Sequence, residues 1–225
     1  MRTERGADYQ QAVIDLCGVL AYAELTAFER LAFDARMAPT IGAKAALAGM
    51  ASAEFDHFRR LRNHLQTELQ VDAEEAMEPF VKPLNEFHDQ TAPSDWIESL
   101  VKAYVGDGIA IDFYREVAAF VDEPTRSLVT DVLADTGQAE FVVEHVKAAI
   151  EADPALAGRL ALWARRLVGE ALTQAQRVAV DRDHLARLIV GDVGGHVGDL
   201  AAVGRMFTRL TEAHTKRMAN LGLSA

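Results

Sequence analysis

The sequence predicts an all-α chain whose first two-thirds form a four-helix bundle with one long crossover. Apolar residues recur at a period near 3.6 along most of the 225 residues, and alternating strand-like runs are nearly absent. Proline and glycine gather between the periodic segments. Four of those segments fall into two closely connected pairs with a long irregular stretch between them, the connectivity of a bundle with a single crossover.

The first helix is expected over residues 8–37. Its stripe is Val13, Cys17, Leu20, Phe28 and Leu31, and Pro39-Thr40 ends it. Glu24 interrupts that stripe. The second helix is expected over 40–70, with Leu47, Met50, Phe58, Leu61 and Leu65 on the apolar face and Glu54 and His57 set among them. The short link makes these two helices antiparallel neighbours. Residues 71–93 carry Pro79, Pro83 and Pro93 and read as the crossover, with a short helix around Phe80, Leu84 and Phe87. Ser94-Asp95 caps a third helix running to about Val121, with Leu100, Tyr104, Ile111, Tyr114 and Ala118 as its stripe and Asp107 inside it. Pro124 opens a fourth helix, whose stripe of Leu128, Val132, Val142, Val146 and Ile150 is interrupted by Asp135 and Gln138. A fifth helix follows Asp153-Pro154 to about Val190, and a sixth runs from Asp199 to Leu221 after the glycine-rich break at 191–198. The expected organisation is a bundle over 1–152 and a helical extension over 153–225 packed on its outside, one compact domain without a second core.

Composition narrows the function. The net charge of −11 repels nucleic acid at long range. It is uneven: residues 153–225 hold ten Lys/Arg against seven Asp/Glu, and residues 1–152 hold thirteen against twenty-seven. Cys17 stands alone, which fits a reducing compartment and excludes an internal disulfide. The polar start MRTERGADYQQ lacks a leader's apolar segment, and no stretch reads as a bilayer span, so a cytoplasmic location without membrane attachment is expected. The 191–198 break has no Gly-Lys-Ser/Thr and follows no strand, which argues against a phosphate loop.

The informative residues are the polar interruptions. Glu54 and His57 form a Glu-x-x-His pair, and residues three apart share a helix face. Glu24 precedes Glu54 by 30 residues, and Asp107 precedes Asp135 by 28, with Gln138 three further on. Each hairpin thus repeats one form: an acid, then about thirty residues later an acid with a donor at i+3. Four carboxylates facing one core repel one another unless cations or shared protons intervene. A carboxylate-bridged pair of metals in a bundle uses this arrangement, and carboxylate with imidazole suits iron or manganese. The bland alternative is a buried acid–imidazole pair satisfied by hydrogen bonds. A rival acidic set, Asp112, Glu116, Glu140, Glu144 and His145, follows the more polar face and reads as solvated, and His64 and His145 read as bundle-end histidines. Arg159, Arg166 and Arg177 share one face of the fifth helix and form the best available phosphate-contacting stripe.

The segments AYAELTAFERLA, ASAEFDHF, GDGIAIDF and VLADTGQAEF, spread over residues 10–150, resemble the ferritin-like tRNA hydroxylases that act on 2-methylthio-isopentenyl-adenosine, and more closely their actinobacterial-type relatives. The resemblance implies a ferritin-like bundle and a two-iron site that activates dioxygen and hydroxylates an unactivated carbon. Carried onto this chain, the ligands are Glu24, Glu54, His57, Asp107, Asp135 and Gln138. The second half-site departs from the family's Glu plus Glu-x-x-His: each aspartate is one methylene shorter, and Gln138 is a neutral, weak donor. Three outcomes stay open: an altered two-metal site, a single metal on Glu24, Glu54 and His57, or none. The expected function is a non-haem hydroxylase with an external electron donor, acting on tRNA by resemblance or on a small hydrophobic substrate by charge. The alternative is a ferritin-like scaffold or binding protein without redox activity. Iron storage is disfavoured because two extra helices obstruct a cage, and an exposed face of the last helices leaves room for a homodimer.

Overall fold

In the computed structural model, which describes residues 2–133, 138–189 and 200–225, helices account for nearly every described residue and no strand occurs among them. α1 spans Arg2–Asp34 and α2 Ile41–Thr67; α3, Ala73–Gln90, is the crossover. α4 (Trp96–Val101), a π-helical turn (Lys102–Gly106) and α5 (Asp107–Ala118) form the third bundle helix. α6 (Glu123–Val132) and α7 (Gln138–Ala152) supply the fourth. α8 (Leu156–Asp181), α9 (Asp183–Ile189) and α10 (Leu200–Asn220) complete the chain. The fold is ferritin-like and all-α.

Local chemistry sets the boundaries. Thr40 accepts the Ala43 amide at 3.1 Å and starts α2. Asp72 accepts the Glu74 and Glu75 amides and starts α3. Asp95 does the same for Glu98 ahead of α4, and Asp122 for Thr125 ahead of α6. Each side-chain oxygen satisfies a helix-terminal N–H that has no partner within the helix.

The predicted stripes are buried: Val13, Cys17, Leu20 and Leu31 on α1, Leu47, Met50, Phe58, Leu61 and Leu65 on α2, and Val132, Val142 and Val146 on the fourth helix. Several boundaries differ from expectation. α1 begins at Arg2 and passes into a 3-10 turn at Ala35–Met37. The crossover is an 18-residue helix that holds Pro79 and Pro83 in its interior. Its face of Met77 and Phe80 is buried along α1 and outweighs the local cost of the prolines. The third helix is not uniform, because the π-helical turn inserts a residue just before Asp107. The fifth predicted helix breaks at Arg182, which leaves helical geometry and pairs with the buried Asp15.

The expectation that no stretch matches a bilayer span is corrected. Gly6–Met37 reaches the length and hydropathy of one. Its apolar surface is spent inside the bundle, where α1 packs on α2, α3 and α9. The extension is also more than an outer layer. α8 packs on α3 and on the π-helical turn, with Trp163 Nε1 donating to Glu98 O at 3.1 Å, and α10 packs on α5.

Two features make the fold testable. A Cβ at Gly18 would overlap the Ala76 carbonyl, so α1 and α3 touch through glycine. Gly18→Ala is expected to destabilise the protein by about 2–4 kcal/mol, read as a lower urea midpoint. His88 is buried, and burial, helped by Lys102 and Arg30, pushes its pKa down to about 3. The folded protein holds it neutral, whereas the unfolded chain takes up a proton below about pH 6.5. Its contribution is therefore complete above that pH and is lost as pH falls toward 3. Urea titrations at pH 7 and pH 5 should show the wild type losing about 2 kcal/mol more than His88→Gln.

Candidate metal centre

The apolar interior is divided in two. One cluster takes Ala12–Ala21 of α1, Phe58–Leu65 of α2, Val117 and Ala118 of α5, and Val132 with Leu133 at the end of α6. The other takes Leu31 and Ala35, Ala43–Ala51 of α2, Leu100–Val105, and Val142 and Val146 of α7. Every bundle helix crosses from one cluster to the other. Glu24 lies at that crossing on α1, Glu54 and His57 on α2, and Asp107 at the start of α5. In the sequence of the fourth helix the same interval contains Asp135 and Gln138. Among the described residues, the polar interruptions Glu24, Glu54, His57 and Asp107 thus form a layer between two apolar blocks.

Glu24, Glu54 and His57 meet there. One donor atom from each lies within 4.8 Å of the others. His57 Nδ1 is 3.4 Å from Glu24 Oε2 and 3.4 Å from Glu54 Oε2. Only the Glu54 contact has hydrogen-bond geometry, which leaves Glu24 Oε2 buried without a hydrogen-bond partner among the described residues. Burial, reinforced by Glu54, raises the Glu24 carboxyl well above the ordinary range. Burial acts in the same direction on Glu54, but its contacts with Glu24 and His57 outweigh it and hold Glu54 low. The contacts to Glu24 and then Glu54 push His57 up to about 9. Without a cation the three groups share protons, and a divalent ion would take over that role. Carboxylate and imidazole donors with an orphaned oxygen fit such an ion.

The group lines a cavity of about 330 Å³. Asp107 lines it too, outside the close trio. Burial and then the Glu54 charge raise the Asp107 carboxyl, opposed by Lys102. Asp135 lies outside the described residues. Gln138 opens α7, and its side chain also lies outside them. Tyr104 and Tyr114 line the cavity; burial, then Glu24, raises the Tyr114 hydroxyl, and Tyr104 accepts from Asn220 at 3.3 Å.

Other expectations change. Asp112 belongs to the cavity wall rather than to a solvated face, because α10 packs on α5 and brings Arg217 onto it. Glu116 does pair outward, with Arg209. The Arg159–Arg166–Arg177 stripe is not a free cationic surface. Arg159 is held by Glu98 at 2.6 Å and Asp95 at 2.7 Å, Arg177 by Glu86, and Arg166 sits over the Trp163 ring. Arg115 and Arg217 also line the cavity, and neither was expected from the sequence. Arg115 sits on the face shared by Asp112 and Gly108, a signal available in the spacing. Arg217 comes from the last helix, and nothing in its neighbourhood marks it.

The trio's unequal protonation makes a stability test. Glu24→Gln keeps the shape and removes a carboxyl that resists ionising, so it should raise the metal-free protein's stability by about 1–2 kcal/mol at pH 8. The same substitution should abolish the rise in melting temperature that cobalt(II) gives the wild type, both read by calorimetry.

No curated protein matches the chain. A sequence-family model described as a ferritin-like domain of actinomycetes matches residues 7–192. The match covers the bundle and continues through α8 and α9, and it does not extend to the tRNA-hydroxylase relatives that the motifs resemble. With most of its length matched and its helices in ferritin-like order, the chain belongs to the actinomycete ferritin-like domain family.

Proposed function

We infer that the protein is a non-haem iron oxidoreductase, a hydroxylase acting on a small, largely apolar substrate. The observation that carries this is the Glu24–Glu54–His57 trio, with its orphaned carboxylate oxygen, on the wall of a cavity of about 330 Å³ between two apolar blocks. Glu24, Glu54 and His57 would hold one iron. Asp107 faces the same space and would bridge to or anchor a second, with Asp135 and Gln138 of the fourth helix completing it; manganese suits the same donors. In such a donor set iron supplies reductive activation of dioxygen and oxidation of a C–H bond.

The chain's own residues do the rest. The apolar clusters on either side keep bulk water from the carboxylates, so their charge acts at full strength on whatever cation they hold. Phe28 and Phe55, with ring centroids 5.0 Å apart, and Phe58 beside Phe55 pack alongside the α1–α2 donors. Hydroxylation of R–H takes one dioxygen, two electrons and two protons and yields R–OH and water. The electrons come from an external donor. In the metal-free protein burial favours the protonated acid at Asp107, and a cation held there would release that proton.

A small substrate suits this chain better than tRNA. The net charge is −11, Arg159 and Arg177 are engaged in ion pairs, and the cavity accommodates a body of a few carbons. The competing reading is a scaffold without redox activity. It draws on the position of His57, whose Nδ1 stands 3.4 Å from an oxygen of each glutamate and offsets part of their charge unaided.

Elemental analysis after anaerobic loading with ferrous iron separates the two, with Glu54→Ala and His57→Ala as controls. About two irons per chain, lost in both variants, is the expected result for a site built on all six residues. A single iron would reduce the centre to Glu24, Glu54 and His57. No iron bound to folded protein would overturn the enzyme reading and leave the scaffold.

A further inference from the structure

We propose that the cavity binds a small aliphatic monocarboxylate, whose anionic end is taken by Arg115 and Arg217 on the wall that α5 and α10 form. This names the substrate class of the centre inferred above and rests on it for the word substrate; the binding itself is tested separately.

The wall is built for a guanidinium. Arg217 reaches from α10 across α5 and donates through Nη2 to Asp112 Oδ2 at 2.6 Å and to Gly108 O at 3.0 Å. A Cβ at residue 108 would collide with the Arg217 side chain, so Gly108 makes the passage possible. Arg217 is largely buried, and its Nη1 has no hydrogen-bond partner among the described residues. A guanidinium has five N–H donors, and a buried one left unmade is costly.

Gly108, Asp112 and Arg115 recur at i, i+4 and i+7 and share one face of α5. Arg115 lines the same cavity. It donates from Nη2 to the Leu133 carbonyl at 2.6 Å, and no carboxylate pairs with it among the described residues. Among the described residues of the α5–α10 wall, two guanidinium groups thus stand against the single carboxylate of Asp112, a local surplus of one positive charge that faces Glu24, Glu54 and Asp107 across the cavity. A ligand with one carboxylate neutralises that surplus, and guanidinium matches a planar carboxylate in shape. The rest of the lining includes Ala23, Ala27, Met50, Ile111 and Val142, which suits an aliphatic body. Such a ligand has its head at α5 and α10 and presents its C–H bonds toward Glu24, Glu54 and His57.

The test is titration of the full chain with hexanoate, followed by saturation-transfer NMR, with hexan-1-ol as the uncharged match. It is run first on metal-free protein and then on protein given cobalt(II). Hexanoate should bind metal-free wild type at least about tenfold more tightly than the alcohol, and Arg217→Gln and Arg115→Gln should each remove most of that difference. Gly108→Ala, which keeps every charge but displaces the Arg217 guanidinium, should weaken hexanoate binding in the same direction as Arg217→Gln. Arg115 is exposed, so its variant remains informative if a buried substitution impairs folding, as judged by circular dichroism. Equal binding of acid and alcohol, or hexanoate binding unchanged in both arginine variants, would overturn the proposal. So would hexanoate binding that needs cobalt(II) and is lost in Glu54→Ala alone, since the carboxylate would then sit on the metal. Arginine-dependent hexanoate binding in a protein that takes up no metal would uphold this inference while removing the metal centre.

Discussion

Negative charge inside the bundle is the constraint on which the rest of the structure depends. Glu24, Glu54 and Asp107 converge on one cavity, and burial, reinforced by Glu54, drives Glu24 and Asp107 toward the protonated state. Such groups are held in a core only when something compensates them. His57 compensates partly, which is why its own pKa rises. The remaining deficit is visible in the orphaned Glu24 oxygen, and a bound cation would offset it. Carboxyl groups at these positions therefore lower the stability of the metal-free protein.

The architecture makes this arrangement tolerable by separating tasks. Two apolar clusters, one on each side, supply the packing that keeps four bundle helices in place. The polar layer between them contributes little to cohesion and is held in position by its neighbours. Capped helix starts at Thr40, Asp72, Asp95 and Asp122 keep the register of each segment. A π-helical turn lies immediately before Asp107, and Asp107, Asp112 and Arg115 of the helix that follows all line the cavity. Membership of a ferritin-like family accounts for the scaffold, whereas the chemistry follows from the side chains placed in this layer.

The cavity has two unlike walls. One is acidic and comes from α1, α2 and the start of α5; the other is cationic and comes from α5 and α10. A bundle of four helices alone would lack the second. The last helix crosses α5 through Gly108 and completes the enclosure, so the C-terminal segment takes part in the site rather than merely covering the bundle.

Most of the helices, much of their inward faces and the interruptions at Glu24, Glu54 and His57 were legible along the chain, because all three are local properties. A period of 3.6, a capping aspartate or a glutamate among leucines needs no knowledge of distant segments. Glu24, Glu54 and His57 could be picked out because two of them share a helix face and the third lies thirty residues earlier in an antiparallel partner. Other features came only from tertiary packing. The long proline-bearing crossover helix stands because its apolar face packs on α1, a contact invisible to local propensity. Asp112 is enclosed because α10, distant in the chain, lays Arg217 against it. Arg159 and Arg177, which form a cationic stripe in sequence, were neutralised by acids far away in the chain. Arg217 entered the cavity because a glycine more than a hundred residues earlier leaves it room. Each depends on which distant segments meet, and that is settled by packing of the whole chain rather than by any stretch of it.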